Sequence, residues 1–183
     1  MAPSLVVDGN NVDHENTPQI VEKWFHDHIQ HHAKPNFTKF HFLVHDDVTV
    51  DKPTSLLVAP ANTNNIASIA FGSTYSMDAP ITIGSDPESK LIFRAQGTFT
   101  FVGQAEPVLS MAINLVFTEG DYHGSSLSIL GNNPISHQYR KMPILGGTGI
   151  YRLTRGNATM DIVTVDIAKL NDILEYHAII QHY

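Results

Sequence analysis

From Phe40 to the C-terminus, apolar and polar side chains alternate with a period of two. Phe40, Phe42 and Val44 interleave with His41, Leu43 and His45. Phe93, Ala95, Gly97, Phe99 and Phe101 interleave with Arg94, Gln96, Thr98 and Thr100, and Leu109, Met111, Ile113, Leu115 and Phe117 with Ser110, Ala112, Asn114 and Val116. A strand sends successive side chains to opposite faces, so each run predicts a half-buried strand. Weaker runs predict further strands over 66–76, 125–130, 142–145, 150–154, 158–166 and 174–183. Turn-forming clusters punctuate them at Gly103–Pro107, Glu119–Asp121 and Gly131–Pro134. Many short, evenly spaced strands predict an all-β barrel or sandwich, and the pattern does not choose between these.

The first 37 residues follow a different rule. Residues 1–16 are polar and aperiodic. Thr17-Pro18 is a helix start with proline at the first helical position. Ile20, Val21, Trp24, Phe25, His28 and Ile29 then recur at helical spacing, and the helix should end before Pro35. The division is therefore an N-terminal extension, 1–37, with a short amphipathic helix expected to pack on the β domain or a neighbouring subunit, followed by the β domain, 38–183. His28 and His32 stand four apart on that helix, beside His26 and His31. Such a pair can chelate zinc, but no third ligand is placed, so these histidines read as a polar helix edge and no metal is expected.

Between Arg140 and Gly156 runs Arg-Lys-Met-Pro-Ile-Leu-Gly-Gly-Thr-Gly-Ile-Tyr-Arg-Leu-Thr-Arg-Gly. The glycines Gly146, Gly147 and Gly149 predict a sharp reversal between two strands. A phosphate loop would need a Lys-Ser/Thr pair or GxGxxG spacing leading into a helix, and neither is present.

Composition narrows the classes. Charged residues reach only 16% against about 25% in average proteins. The net charge is −7 with no basic cluster, which excludes nucleic acid as the expected partner. No apolar run approaches the ~20 residues of a membrane helix, and no membrane partner is expected. There is no cysteine, so redox chemistry says nothing about compartment. The 11 histidines, mostly read as solvated surface residues, could reverse the sign of the net charge if all were protonated. Two N-glycosylation sequons begin at Asn36 and Asn157. A basic segment followed by an apolar stretch, the mark of a signal peptide, is not visible at the N-terminus.

The glycine block resembles the signature of the plant dirigent proteins, R-x-M-P-V-V-G-G-T-G followed by A-R-G. Three more blocks match in the family's order: His45-Asp46 after an aromatic strand, Asp86-Pro-Glu-Ser-Lys-Leu91 running into Arg94-Ala-Gln-Gly97, and Phe117-Thr-Glu-Gly-Asp-Tyr-His-Gly-Ser125. The resemblance spans about residues 39–183. It implies an eight-stranded antiparallel barrel related to allene oxide cyclase, usually trimeric, with a pocket at one end and no cofactor. It also implies secretion to the apoplast and a small phenolic substrate. In the lignan-forming branch a separate oxidase makes phenoxy radicals and the dirigent protein sets which faces couple. In another branch, pterocarpan synthases dehydrate a hydroxyisoflavan and the quinone methide closes intramolecularly. A non-catalytic phenolic-binding or cell-wall scaffold module is the alternative of a different class.

Both chemistries need a proton donor and acceptor, and a partner for charge on the phenolic oxygen. A carboxyl in an apolar barrel is held protonated to higher pH and can donate near neutrality. By its match to the family's His-Asp pair, the resemblance assigns that role to Asp46, and assigns Arg140 to the phenolic oxygen. Lignan-forming members carry a second aspartate seven residues before that arginine, where this chain has Asn133, and tyrosines where it has Phe99 and Phe101. With Met142-Pro-Ile144 and Tyr151-Arg-Leu153, these departures resemble the branch containing pterocarpan synthases. Phe99, Phe101 and Asn133 are expected to line the pocket, Asp78 to reach its mouth, and Tyr139 and His137 to supply the missing polar groups. Arg94 and Gln96 should lie on the opposite face of their strand from Phe99.

Overall fold

The structure, a computed structural model, describes residues 17–30, 34–48, 51–61, 71–86, 88–166 and 171–183. The chain divides between Lys34 and Pro35. In the first part helix α1, Pro18–Phe25, starts as the sequence predicts, with Thr17 extended at the cap and proline in the first turn. It passes into a wider π turn, His26–Gln30. No residue of α1 is buried. His31, His32 and the side chain of His28 lie outside the described residues.

The second part is built from β1 Asn36–Asp47, β2 Ser55–Ala59, β3 Thr74–Thr82, β4 Leu91–Phe101, β5 Val108–Phe117, β6 Ser126–Pro134, β7 Arg140–Thr148, β8 Arg155–Asp166 and β9 Asn171–His182. The strands lie in the order β1-β9-β8-β7-β6-β5-β4-β3, each antiparallel to its neighbours. Leu43 opposite Thr82 and Val44 opposite Ile81 then join β1 to β3, closing an eight-stranded barrel. β2 stands outside the ring, paired to the rest of that edge of β3.

Closure turns period-two alternation into a single interior. Phe42, Val44, Met77, Ala79, Ile81, Ala95, Ile113, Leu115, Leu127, Ile129, Met142, Ile144, Met160, Tyr176 and Ala178 all point inward and are buried. One end is plugged by rings: Phe117 packs on Phe93 at 4.1 Å and on Tyr151 at 5.1 Å, with Phe40 6.0 Å from each of the three. Aromatic pairs in such tilted and edge-on arrangements add to the burial of their area.

Four local expectations change. The strand predicted over 150–154 is instead a short 3₁₀ turn, Gly149–Tyr151, leading into the Leu153 reversal. Gly146 and Gly147 belong to β7 itself. The reversal needs its glycines at two places: Gly149 has φ +62°, and a Cβ on Gly147 would lie 2.6 Å from the carbonyl oxygens of Ser126 and Tyr151. This compact turn swings Tyr151 under the barrel as part of the plug. The turn predicted at Gly131–Pro134 is also absent, because pairing with β5 carries β6 through to Pro134 despite the local turn chemistry. β2 was not visible in the pattern. Of the strand predicted over 66–76, residues 66–70 lie outside the described residues and β3 starts only at Thr74.

Phe117→Ala is expected to destabilise the barrel by about 3–5 kcal/mol, since it empties the centre of the plug. A stability loss in urea denaturation of less than a third of that would show that the plug rearranges around the missing ring.

Candidate functional site

The barrel end opposite the plug is hollow. A cavity of about 280 Å³ is enclosed by the C-terminal halves of β1, β4, β6 and β8 and the N-terminal halves of β3, β5, β7 and β9. Its wall is mostly apolar: Met77, Leu109, Met111, Ile162 and Leu174 face it, together with an aromatic stack. In that stack Tyr75 lies flat on Phe99 at 5.0 Å with 8° between the rings, and meets Phe101 edge-on at 6.2 Å. An apolar cavity with a few convergent polar groups is the usual form of a small-molecule site.

The polar groups come from strand ends. Asp46 follows Phe42 and Val44 on the inward face of β1. Its Oδ1 accepts the Thr54 hydroxyl at 2.7 Å, and the Thr54 oxygen accepts the Asp47 backbone N–H at 2.7 Å. Directly across the ladder stands Asp172 of β9, two residues before inward-facing Leu174. Directly opposed side chains on one face lie about 4.5–5.5 Å apart at Cβ, so the two carboxyls share one small volume. Burial drives the Asp172 carboxyl from the ordinary 3.8 up to about 7; the negative charge of Asp46 adds to this, and Arg140 offsets part of it. The Asp172 Oδ1 is buried and has no hydrogen-bond partner among the described residues.

Arg140 enters from the first position of β7. Tyr139 before it takes φ +50°, the left-handed conformation that closes the 135–139 turn and starts the ladder at Arg140. Arg140 is 3% exposed, and Nη1 donates to the Ile135 carbonyl at 3.2 Å, while Nε and Nη2 have no partner among the described residues. Desolvation lowers its pKa, opposed by charges including Asp172. Asn133 is buried beside it on the wall; its Nδ2 lies 3.2 Å from the Met111 sulfur and its Oδ1 is unpaired among the described residues. Below them Tyr176, stacked on Phe42 at 5.2 Å, has its hydroxyl pKa pushed up by burial.

Five of the predicted residues thus meet in one cavity: Asp46, Arg140, Phe99, Phe101 and Asn133. Three do not line it. Asp78 alternates outward from Met77 and pairs with Arg94, its Oδ1 accepting from Nε at 2.5 Å on the outer face. Arg94 is therefore outside, as expected from its alternation with Phe99. His137 is exposed and bonded to Glu106 at 3.2 Å, and Tyr139 is 67% exposed because its left-handed turn points the ring away. The phenol expected from Tyr139 comes instead from Tyr75. Asp172 and Tyr75 were the residues missed. The first lay just before the strand predicted from Leu174, although Asp172, Leu174, Tyr176, Ala178 and Ile180 form one inward alternation. The second lay at the end of a misplaced strand. Asn36 and Asn157 are both exposed, on β1 and β8.

A sequence profile described as dirigent-like protein matches residues 37–181. The chain is 41% identical over 148 residues to pterocarpan synthase 1 of Glycine max, covering 80% of each. It is 38% identical over 153 residues to dirigent protein 1 of Arabidopsis thaliana, covering 84% of this chain and 83% of the relative. The solved structure of a pterocarpan synthase dirigent protein superposes with a TM-score of 0.76 at 40% identity, over 82% of this chain and 87% of that one.

A raised carboxyl pKa links the site to stability. Between about pH 4 and 7 the folded chain keeps a proton on Asp172 that the unfolded chain has released, so stability falls as pH rises through that window. Asp172→Asn is expected to flatten this slope and to raise stability at pH 8 by up to about 4 kcal/mol. Equal pH slopes for the two proteins in urea titrations would contradict the assignment.

Proposed function

The chain belongs to the dirigent family, and from that membership and the chemistry of the cavity we propose that it forms and steers a quinone methide by dehydrating a phenol-bearing alcohol. The observation that carries this reading is the proton held near neutrality on Asp172, beside Asp46 and the unpaired N–H groups of Arg140. Pterocarpan synthases, to which the chain is similar, supply the substrate class: hydroxyisoflavans with a free phenol.

The steps balance with the residues present. The Asp172 carboxylic acid gives its proton to the departing hydroxyl, the carbon–oxygen bond breaks and water leaves. The phenol loses its proton to the Asp46 carboxylate, and its oxygen becomes the carbonyl of a neutral quinone methide. Arg140 donates N–H bonds to that oxygen as its charge changes, a role worth most in a dry, preorganised site. A second phenolic hydroxyl of the same molecule then adds to the methide carbon. Its proton passes to Asp172, and Asp46 returns a proton to the carbonyl oxygen. The net change is loss of one water. The stack of Tyr75, Phe99 and Phe101 holds the aromatic ring on one face, which gives the ring closure its handedness.

No oxidant enters this scheme, which separates it from radical coupling with an oxidase partner. Family membership also supports a trimeric, apoplastic protein, and the exposed sequons at Asn36 and Asn157 are compatible with glycosylation there.

Incubation of hydroxyisoflavan alcohols without oxidant is expected to give faster dehydration and a product of high enantiomeric excess by chiral chromatography. Asp172→Asn and Asp46→Asn should each lower kcat/KM by about 10²–10⁴-fold while phenolic binding persists. The rate should fall as pH rises through about 7, as Asp172 loses its proton. Enantiomeric excess arising only from coniferyl alcohol with a one-electron oxidant would make the protein a coupling guide instead. Binding of phenolics with neither effect would leave the scaffold reading.

A further inference from the structure

On the outer wall, away from the cavity, three potential ligands converge across the β1–β9 seam. His41 and His177 are directly opposite in the ladder, with rings stacked at 4.6 Å. Glu175 lies two residues before His177 and so on the same face. Its Oε1 is 2.6 Å from His41 Nε2 and 3.7 Å from His177 Nε2, and the three ligand atoms all lie within 4.8 Å of one another. We propose that His41, Glu175 and His177 form a binding site for a borderline divalent cation, with Zn²⁺ the best fit.

The geometry requires little adjustment. Zinc bonds of about 2.0–2.1 Å in a tetrahedral shell set neighbouring ligand atoms roughly 3.3 Å apart. The His41–Glu175 contact of 2.6 Å must open by about 0.7 Å, the His177–Glu175 contact of 3.7 Å must close by about 0.4 Å, and the two imidazole nitrogens, within 4.8 Å of each other, must come to a similar spacing. The side chains, 50%, 35% and 62% exposed, are free to make that movement. Two imidazoles and one carboxylate suit zinc, copper or nickel over magnesium or calcium, which take oxygen ligands. The three ligands leave an outward position for water, the arrangement of an open zinc site.

A second feature of the surface favours a cation here. Asp161 of β8 is the direct ladder partner of Glu175, and like charges directly opposed on a sheet are destabilising. A bound cation would offset that opposition. The consequence reaches the cavity through the backbone. β1 and β9 also carry Asp46 and Asp172, so a cation bridging them clamps the pair of strands that holds the two carboxyls together. The ligands escaped the sequence reading because they belong to strands at opposite ends of the domain.

The test uses the full chain with His26, His28, His31 and His32 changed to alanine, which removes the N-terminal cluster of histidines as competitors. Calorimetric titration with zinc chloride is expected to show one site, and excess zinc to raise Tm by about 5 °C. In the same background Glu175→Gln and His177→Ala should each weaken binding at least tenfold and abolish the Tm rise, with Tm in chelator unchanged within a few degrees. Zinc binding with unchanged affinity in both variants, or no zinc binding by the background chain that keeps Glu175 and His177, would overturn the proposal.

Discussion

Everything inside this protein depends on β1 being shared between two partners. It pairs along its whole length with β9 and, at Leu43 and Val44, with β3. Without that second pairing the sheet would be open and each strand's apolar face would need another layer to cover it. With it, the inward side chains meet only each other, and the buried charged groups gather at the open end. The plug of Phe40, Phe93, Phe117 and Tyr151 seals one end, so the charges of Asp46, Asp172 and Arg140 are confined to the other. Confinement sets their chemistry. Two carboxyls facing each other across one ladder rung in an apolar cavity are poorly able to ionise together, and the more deeply buried one keeps its proton.

Much of the fold was legible because it rests on side-chain periodicity. The alternations around Phe99 and Met111 put Phe99 and Phe101 on one face of their strand, and the family's His-Asp match supplied Asp46. The family blocks supplied Arg140 and Asn133, which alternation alone would not single out. Legibility failed where pairing or turn geometry overruled local signals. Gly131-Asn-Asn-Pro134 has the composition of a turn, yet it runs on as strand against β5 and delivers Asn133 to the cavity wall. Tyr139 is next to Arg140 in sequence but points away from it, because φ +50° at that residue reverses the chain. Asp172 required knowing that β9 starts at Asn171 and that its second residue faces Asp46 across the ladder, a register no single strand reveals.

The cavity collects its polar and aromatic groups from several strands. Asn133 brings an amide from β6, and Asp172 brings a carboxyl to the same cavity from β9. Phe99 and Phe101 keep ring area without hydroxyls, and Tyr75 brings a phenol into the stack from the neighbouring strand. In each case the barrel supplies several inward positions around one small volume, and the chemistry needs only that some strand end present the group there.

The measurement that bears most directly on this account is the ionisation of the buried carboxyl itself, followed by infrared spectroscopy of protein labelled with ¹³C-aspartate across pH 4 to 9. The account predicts one protonated-carboxyl C=O band that persists above pH 6, disappears with a midpoint near 7, and is missing from Asp172→Asn. Complete ionisation of every aspartate by pH 5 would contradict it, because no group in the cavity would then hold the proton that the leaving hydroxyl requires.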